Sequence, residues 1–115
     1  MADQIAIRIP RTTWQEGSGF TATANFRARS TGAASTPTTV HYRVDCLTTL
    51  RQLADDTSVS TDDEVSIAIT GTHNAIQNDC NDYEIKQLTV IADRGLSTQH
   101  VERVTWRVDN VFGSP

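Results

Sequence analysis

Between residues 20 and 29 the chain alternates apolar and polar side chains without a break. Phe20, Ala22, Ala24, Phe26 and Ala28 form one row, and Thr21, Thr23, Asn25, Arg27 and Arg29 form the other. A period of two sends successive side chains to opposite faces, so this segment predicts a strand with one face buried. The same period returns at Ile5, Ile7 and Ile9, at Val40, Tyr42, Val44 and Cys46, and at Val65, Ile67 and Ile69. It returns again over 84–92 and at Val104, Trp106 and Val108. Composition supports it, because 17 Thr, 9 Val and 8 Ile favour the pleated backbone. Only Leu50 and Leu53 are spaced for a helical turn, and a short edge strand reads equally well there, ended by Asp55-Asp56. Six or seven strands with no convincing helix must bury one sheet against another. The expected fold is therefore all-β: an antiparallel two-sheet sandwich of immunoglobulin-like type, with a small barrel as the alternative.

With 115 residues the chain makes one domain, 1–115. Pro10 interrupts the first strand, and Gly17-Ser18-Gly19 closes a loop over 11–19, so residues 1–19 read as a possible N-terminal arm. Residues 71–83 read as a polar corner and Asp93-Arg94-Gly95 as a turn. The segment 84–92 carries apolar groups in both rows (Lys86, Leu88, Val90, Ala92 against Ile85, Gln87, Thr89, Ile91), which predicts a central strand covered on both sides. The expected core joins Phe26, Tyr42, Val44, Ile67, Leu88, Val90 and Trp106, with Trp106 or Trp14 opposite the small alanines.

Several function classes find little support. No apolar run approaches the ~18 residues of a membrane helix. A net charge of −4 argues against nucleic-acid binding by bulk attraction. The acidic corner Asn78-Asp79-Cys80-Asn81-Asp82 lacks the EF-hand spacing, and Asx residues cap their own turns by default. Asp55-Asp56 and Asp62-Asp63-Glu64 read as solvated rims. His41, His73 and His100 have no metal-ligand spacing. His41 and Cys46 cannot act as base and nucleophile, since five strand residues separate them by about 17 Å on opposite faces. No catalytic residue, metal or cofactor is therefore assigned. Cys46 is expected buried and reduced, with Cys80 in the corner.

What remains is a contact surface. Arg27, Arg29, Arg43, Arg103 and Arg107 fall on outward strand rows among threonines. Ordinary solubility would explain them. A docking face for carboxylate-bearing protein surfaces would explain them too, because arginine forks pair with carboxylates. Ile5, Ile7 and Ile9 of the arm could add a strand to a neighbouring sheet edge. A carbohydrate- or cell-surface-binding module is the alternative, with Trp14 as the one aromatic platform.

The stretches Thr36-Pro37-Thr38-Thr39-Val40-His41-Tyr42-Arg43-Val44, Asn74-Ala75-Ile76-Gln77-Asn78 and Glu84-Ile85-Lys86-Gln87-Leu88-Thr89-Val90 carry a resemblance. With Ala92-Asp93-Arg94-Gly95 and Trp106-Arg107-Val108-Asp109-Asn110, the chain resembles small immunoglobulin- or fibronectin-like proteins encoded among the virion structural genes of tailed bacteriophages. The resemblance spans roughly residues 20 to 112 and consists of packing and turn signals. It implies a non-enzymatic virion component, a capsid decoration (cement) or head–tail protein, present as a homo-oligomer or in repeated copies. Its implied partners are other virion proteins, with no membrane and no direct nucleic-acid contact. Such proteins are made in the host cytoplasm without a signal peptide, and Met1-Ala2-Asp3-Gln4-Ile5 shows no basic region leading into an apolar one. The Cys–Trp–Cys spacing and Tyr-x-Cys corner of antibody domains are missing.

Overall fold

The computed structural model describes residues 4–111. Eight strands build two sheets: β1 (Gln4–Arg8), β2 (Thr13–Gln15), β3 (Phe20–Arg27), β4 (Val40–Cys46), β5 (Arg51–Val59), β6 (Glu64–Ile69), β7 (Tyr83–Ala92) and β8 (His100–Asp109). One sheet has the order β1-β3-β6 and the other β2-β8-β7-β4-β5. The expected two-sheet sandwich is present, and its strand order is that of an immunoglobulin-type Greek key. Every pairing is antiparallel except β2 with β8, which is parallel.

Three differences from the sequence reading concern edges. The loop expected over 11–19 contains β2, a strand too short for its alternation to register, held by the Thr13↔Arg107 to Gln15↔Asp109 pairing. Residues 4–15 are not an arm. The chain pairs with β3 as β1, turns at Pro10, and crosses to the other sheet as β2. Asp55-Asp56 do not end the fifth segment, because β5 runs through them to Val59. A bulge against β4 takes them out of regular register, which is how a strand carries two adjacent acids.

The core follows the alternation. Ala22, Ala24 and Phe26 of β3, Val65, Ile67 and Ile69 of β6, and Leu88, Val90 and Ala92 of β7 are buried. Of the expected core residues only Tyr42 is half-buried, packed at the margin of the cluster. Both tryptophans face inward: Trp14 stacks on Phe20 at 4.5 Å between ring centroids, and Phe20 meets Trp106 edge-on at 5.2 Å. β7 is central, as its two apolar rows suggest, lying between β4 and β8. No third layer covers it among the described residues. Ile85, Gln87 and Ile91 are half-buried on its outer face, flanked by residues of β4 and β8. Asp93, at φ 55°, ties the far end together: its carboxylate accepts the Thr38 N–H at 2.7 Å and the Thr98 hydroxyl at 2.8 Å. Cys46 is a buried free thiol and Cys80 an exposed one.

Two stability measurements follow. Trp106→Ala removes the largest fully buried side chain and is expected to cost about 3–5 kcal/mol in urea unfolding. Deleting residues 1–10 strips the pairing from one side of β3 and removes buried Ile5, so a loss of at least about 2 kcal/mol is expected. A truncated chain as stable as the full one would show that β1 is dispensable.

Candidate protein-contact face

The outer face of the five-stranded sheet takes the outward rows of β4, β7 and β8. Register places Arg43 opposite Thr89, and Thr89 opposite Arg103, so the two arginines flank one threonine in a single row. Thr89 is itself buried by its neighbours. Arg107 lies further along β8, paired with Ile85. Arg43 makes a two-pronged contact with Asp45, at 3.0 Å from Nε and 2.9 Å from the terminal nitrogen. This hydrogen-bonded carboxylate raises the Arg43 pKa above its already high ordinary value. Arg107 Nε donates to Asp109 at 2.6 Å, and its guanidinium lies 4.0 Å from the centre of the Tyr83 ring. Arg103 is exposed and has no ion pair among the described residues. Two of the three guanidiniums are thus fixed in orientation and the third is available.

Beside this row, His41 Nδ1 lies 3.2 Å from Asp56 Oδ1, though off hydrogen-bond geometry, and Arg94 also pairs with Asp56. His41 faces outward and Cys46 inward, which keeps the two apart as the strand spacing requires.

The other predicted contact residues do not join the face. Arg27 ends β3 on the opposite sheet and donates to the Gly32 carbonyl at 3.0 Å. Arg29 is exposed in the turn that follows. The five arginines therefore form no common stripe, because strand alternation fixes the face of a sheet but not which sheet a strand joins. Ile5 is a core residue at 7% exposure, and Ile7 and Ile9 pack half-buried against the core. These three side chains hold β1 against its own core, and β1 borders its sheet, paired with β3 on one side.

One cluster was not singled out by sequence reasoning. Glu84 and Lys86, both on the inward row of β7, have fully buried side chains 3.0 Å apart. The Glu84 carboxylate also accepts the Gln77 N–H at 2.8 Å, the Asn78 N–H at 2.9 Å and the Asn81 side-chain amide at 3.0 Å. Lys86 Nζ donates to the Ala75 carbonyl at 2.8 Å. Asn74, equally buried, accepts the Trp106 indole N–H at 2.7 Å and donates to the Ser18 carbonyl at 2.6 Å. The 71–83 corner is thus clamped over one end of the sandwich. The signal was in the sequence: Lys86 stands in a row whose other members are Leu88, Val90 and Ala92, and a charge there needs a buried partner. The corner's Asn78 accepts the Cys80 N–H at 3.0 Å, the Asx turn expected of it.

Burial by itself would raise the Glu84 pKa. The Gln77 N–H, Lys86, the Asn81 amide and the Asn78 N–H together outweigh burial and hold it at about 2. Every oxygen of this carboxylate is occupied, so the cluster fastens a loop and has no proton to trade near neutral pH.

Comparison with known proteins finds no matching family model, no matching curated protein and no matching solved structure.

The Glu84 shift sets a pH dependence. Its pKa is depressed from 4.5 to about 2, so the unfolded chain takes up the proton first as pH falls. The stabilisation is complete above about pH 4.5 and is lost as pH falls towards 2, about 3 kcal/mol in all. Urea unfolding across that range checks it. Glu84→Gln should flatten the dependence, and an unchanged slope would show that other carboxyls control acid stability.

Proposed function

We propose that this chain is a non-enzymatic virion structural protein of a tailed bacteriophage, a capsid decoration or head–tail component that works through protein–protein contacts. The observation carrying the reading is the outer face of the five-stranded sheet. There Arg43 and Arg107 are pre-aimed by Asp45 and Asp109, and Arg103 stands free beside them. Oriented guanidiniums lose little side-chain freedom on docking; Arg103 offers its whole fork, and Arg43 and Arg107 the N–H groups that Asp45 and Asp109 leave unused, which suits a partner surface carrying Asp and Glu. The sequence resemblance supplies the setting, namely other virion proteins as partners and the particle as location. The buried ionisable groups support a binding role, since Glu84 and Lys86 spend their hydrogen bonds on one another and on the 71–83 corner.

The carbohydrate-binding alternative needed Trp14 as an exposed platform. Trp14 is 8% exposed and stacked on Phe20, so that reading loses its residue.

The test is the particle. Mass spectrometry of gradient-purified virions from the phage encoding this chain is expected to find it in a fixed ratio to the capsid or portal protein. Full recovery in the soluble fraction of lysed cells, with none on particles, would overturn the proposal.

A further inference from the structure

Among the described residues six large apolar side chains are exposed, and four of them, Leu47, Leu50, Tyr83 and Val111, lie at one end of the five-stranded sheet. Leu47 sits beside Ile85, whose carbonyl accepts its N–H at 2.8 Å, while Tyr83 pairs with Asp109 two residues before Val111. Leu50 is the extreme case. It tops the β4–β5 turn with 88% of its surface in water and a left-handed backbone at φ 56°. Both features are unfavourable for a leucine in an isolated domain, where glycine or asparagine would fill the turn without strain. Next to it stands exposed Arg51, hydrogen-bonded at 3.1 Å to Gln77.

The opposite sheet carries an open cavity of about 300 Å³ on its outer face, lined by Arg8, Ile9, Pro10, Thr21, Thr23 and Glu64. This is the small end of the range for ligand-sized pockets and ample for one leucine side chain. Ile9 and Pro10 give it an apolar wall. Its lining carries one carboxylate, Glu64, and one cation, Arg8. Asn25 joins Arg8 to Glu64, with contacts of 3.3 Å to each when its amide nitrogen faces the carboxylate. The cavity thus offers an apolar wall to Leu50 and the Glu64 carboxylate to Arg51.

We infer that copies of this chain associate head to face, with the Leu50 tip of one seated in the Ile9–Pro10 cavity of the next and Arg51 meeting its Glu64. Two different patches meet, so the contact is heterologous and propagates into a ring or a filament. The inference rests on the reading of the chain as a repeated structural subunit and names the contact between repeats. It fails separately from that reading, because its assay needs only the purified chain and not the particle.

Sedimentation and light scattering of the full chain, up to about 1 mM, test it. The wild type is expected to show mass increasing with concentration. Leu50→Asp should weaken association about tenfold or more without unfolding so exposed a site. Leu50→Gly should weaken it too while raising thermal stability, since glycine relieves the positive φ; this separates lost docking from lost folding. The decisive arm is a charge exchange. Arg51→Glu alone sets two carboxylates against each other at the contact, and Glu64→Arg alone sets two guanidiniums against each other, so each variant is expected to stay monomeric. In an equimolar mixture both contacts pair opposite charges again: the unaltered tip of the Glu64→Arg chain meets the unaltered cavity of the Arg51→Glu chain, whose acidic tip meets the altered cavity, and the two should form a complex larger than either alone. A wild type that remains monomeric throughout, or a mixture no larger than its components, would overturn the inference.

Discussion

The carboxylate of Glu84 is the constraint on which one end of this molecule depends. An ionised carboxylate out of contact with water costs several kcal/mol unless its lone pairs are filled. Here they are filled by groups from four places in the chain. Gln77 and Asn78 donate from backbone, Asn81 and Lys86 from side chains, and the Cys46 sulfur approaches to 3.6 Å from β4. The three bonds from Gln77, Asn78 and Asn81 are lost if the 71–83 corner moves away, so the corner is held in one conformation. Lys86 extends the constraint to Ala75, and neighbouring Asn74 extends it to Trp106 and Ser18. The hydrogen bond to Trp106 then bears on the core, because it fixes the indole that meets Phe20, which in turn stacks on Trp14. A well-packed leucine pair in place of Glu84 and Lys86 could match the stability. It would not select a loop conformation.

A second device acts at the start of the chain. Pro10 cannot donate to a ladder, and it stands where the strand leaves β3 and crosses to β8. The crossing stitches the two sheets together at one edge. Antibody domains join their sheets with a disulfide between strands equivalent to β3 and β7. Here those positions carry Ala24, Phe26, Leu88 and Val90, and both cysteines are free thiols. Aromatic packing of Trp14, Phe20 and Trp106 does the work that a covalent bridge does elsewhere.

Much of this architecture was legible because strand alternation is a local property. The rows of β3, β4, β6, β7 and β8 can be read from residue order alone, and their burial follows it. What the order of residues leaves open is which strands share a sheet. Arg27 and Arg43 look alike in sequence, yet they end on opposite sheets because β3 pairs with β1 and β6 while β4 pairs with β5 and β7. Trp14 admits two readings in the sequence, packed opposite the alanines or exposed as a platform, for a related reason. Three residues are too few to display a period, and only the long-range pairing with β8 turns that tryptophan inward. The Leu50 tip and the Ile9–Pro10 cavity were illegible as a pair, since a cavity belongs to a surface formed by residues distant in sequence.

The free edges of the sandwich restrict how it can meet other molecules. β1 and β6 border one sheet and β2 and β5 the other, and an exposed edge invites pairing with any extended chain. β5 is poorly suited to it: the bulge against β4 distorts the ladder, and Asp55 and Asp56 are exposed there. β6 begins at Glu64 immediately after Asp62 and Asp63, so an approaching backbone meets three carboxylates at that end. Indiscriminate strand addition is therefore opposed at β5 and β6, and recognition there shifts to side chains. Faces and turn tips supply it here, through guanidiniums held in place by Asp45 and Asp109 and a leucine held in water by its own backbone. Side-chain contacts of this kind discriminate between partners, which edge-to-edge hydrogen bonding does not, because every backbone presents the same groups.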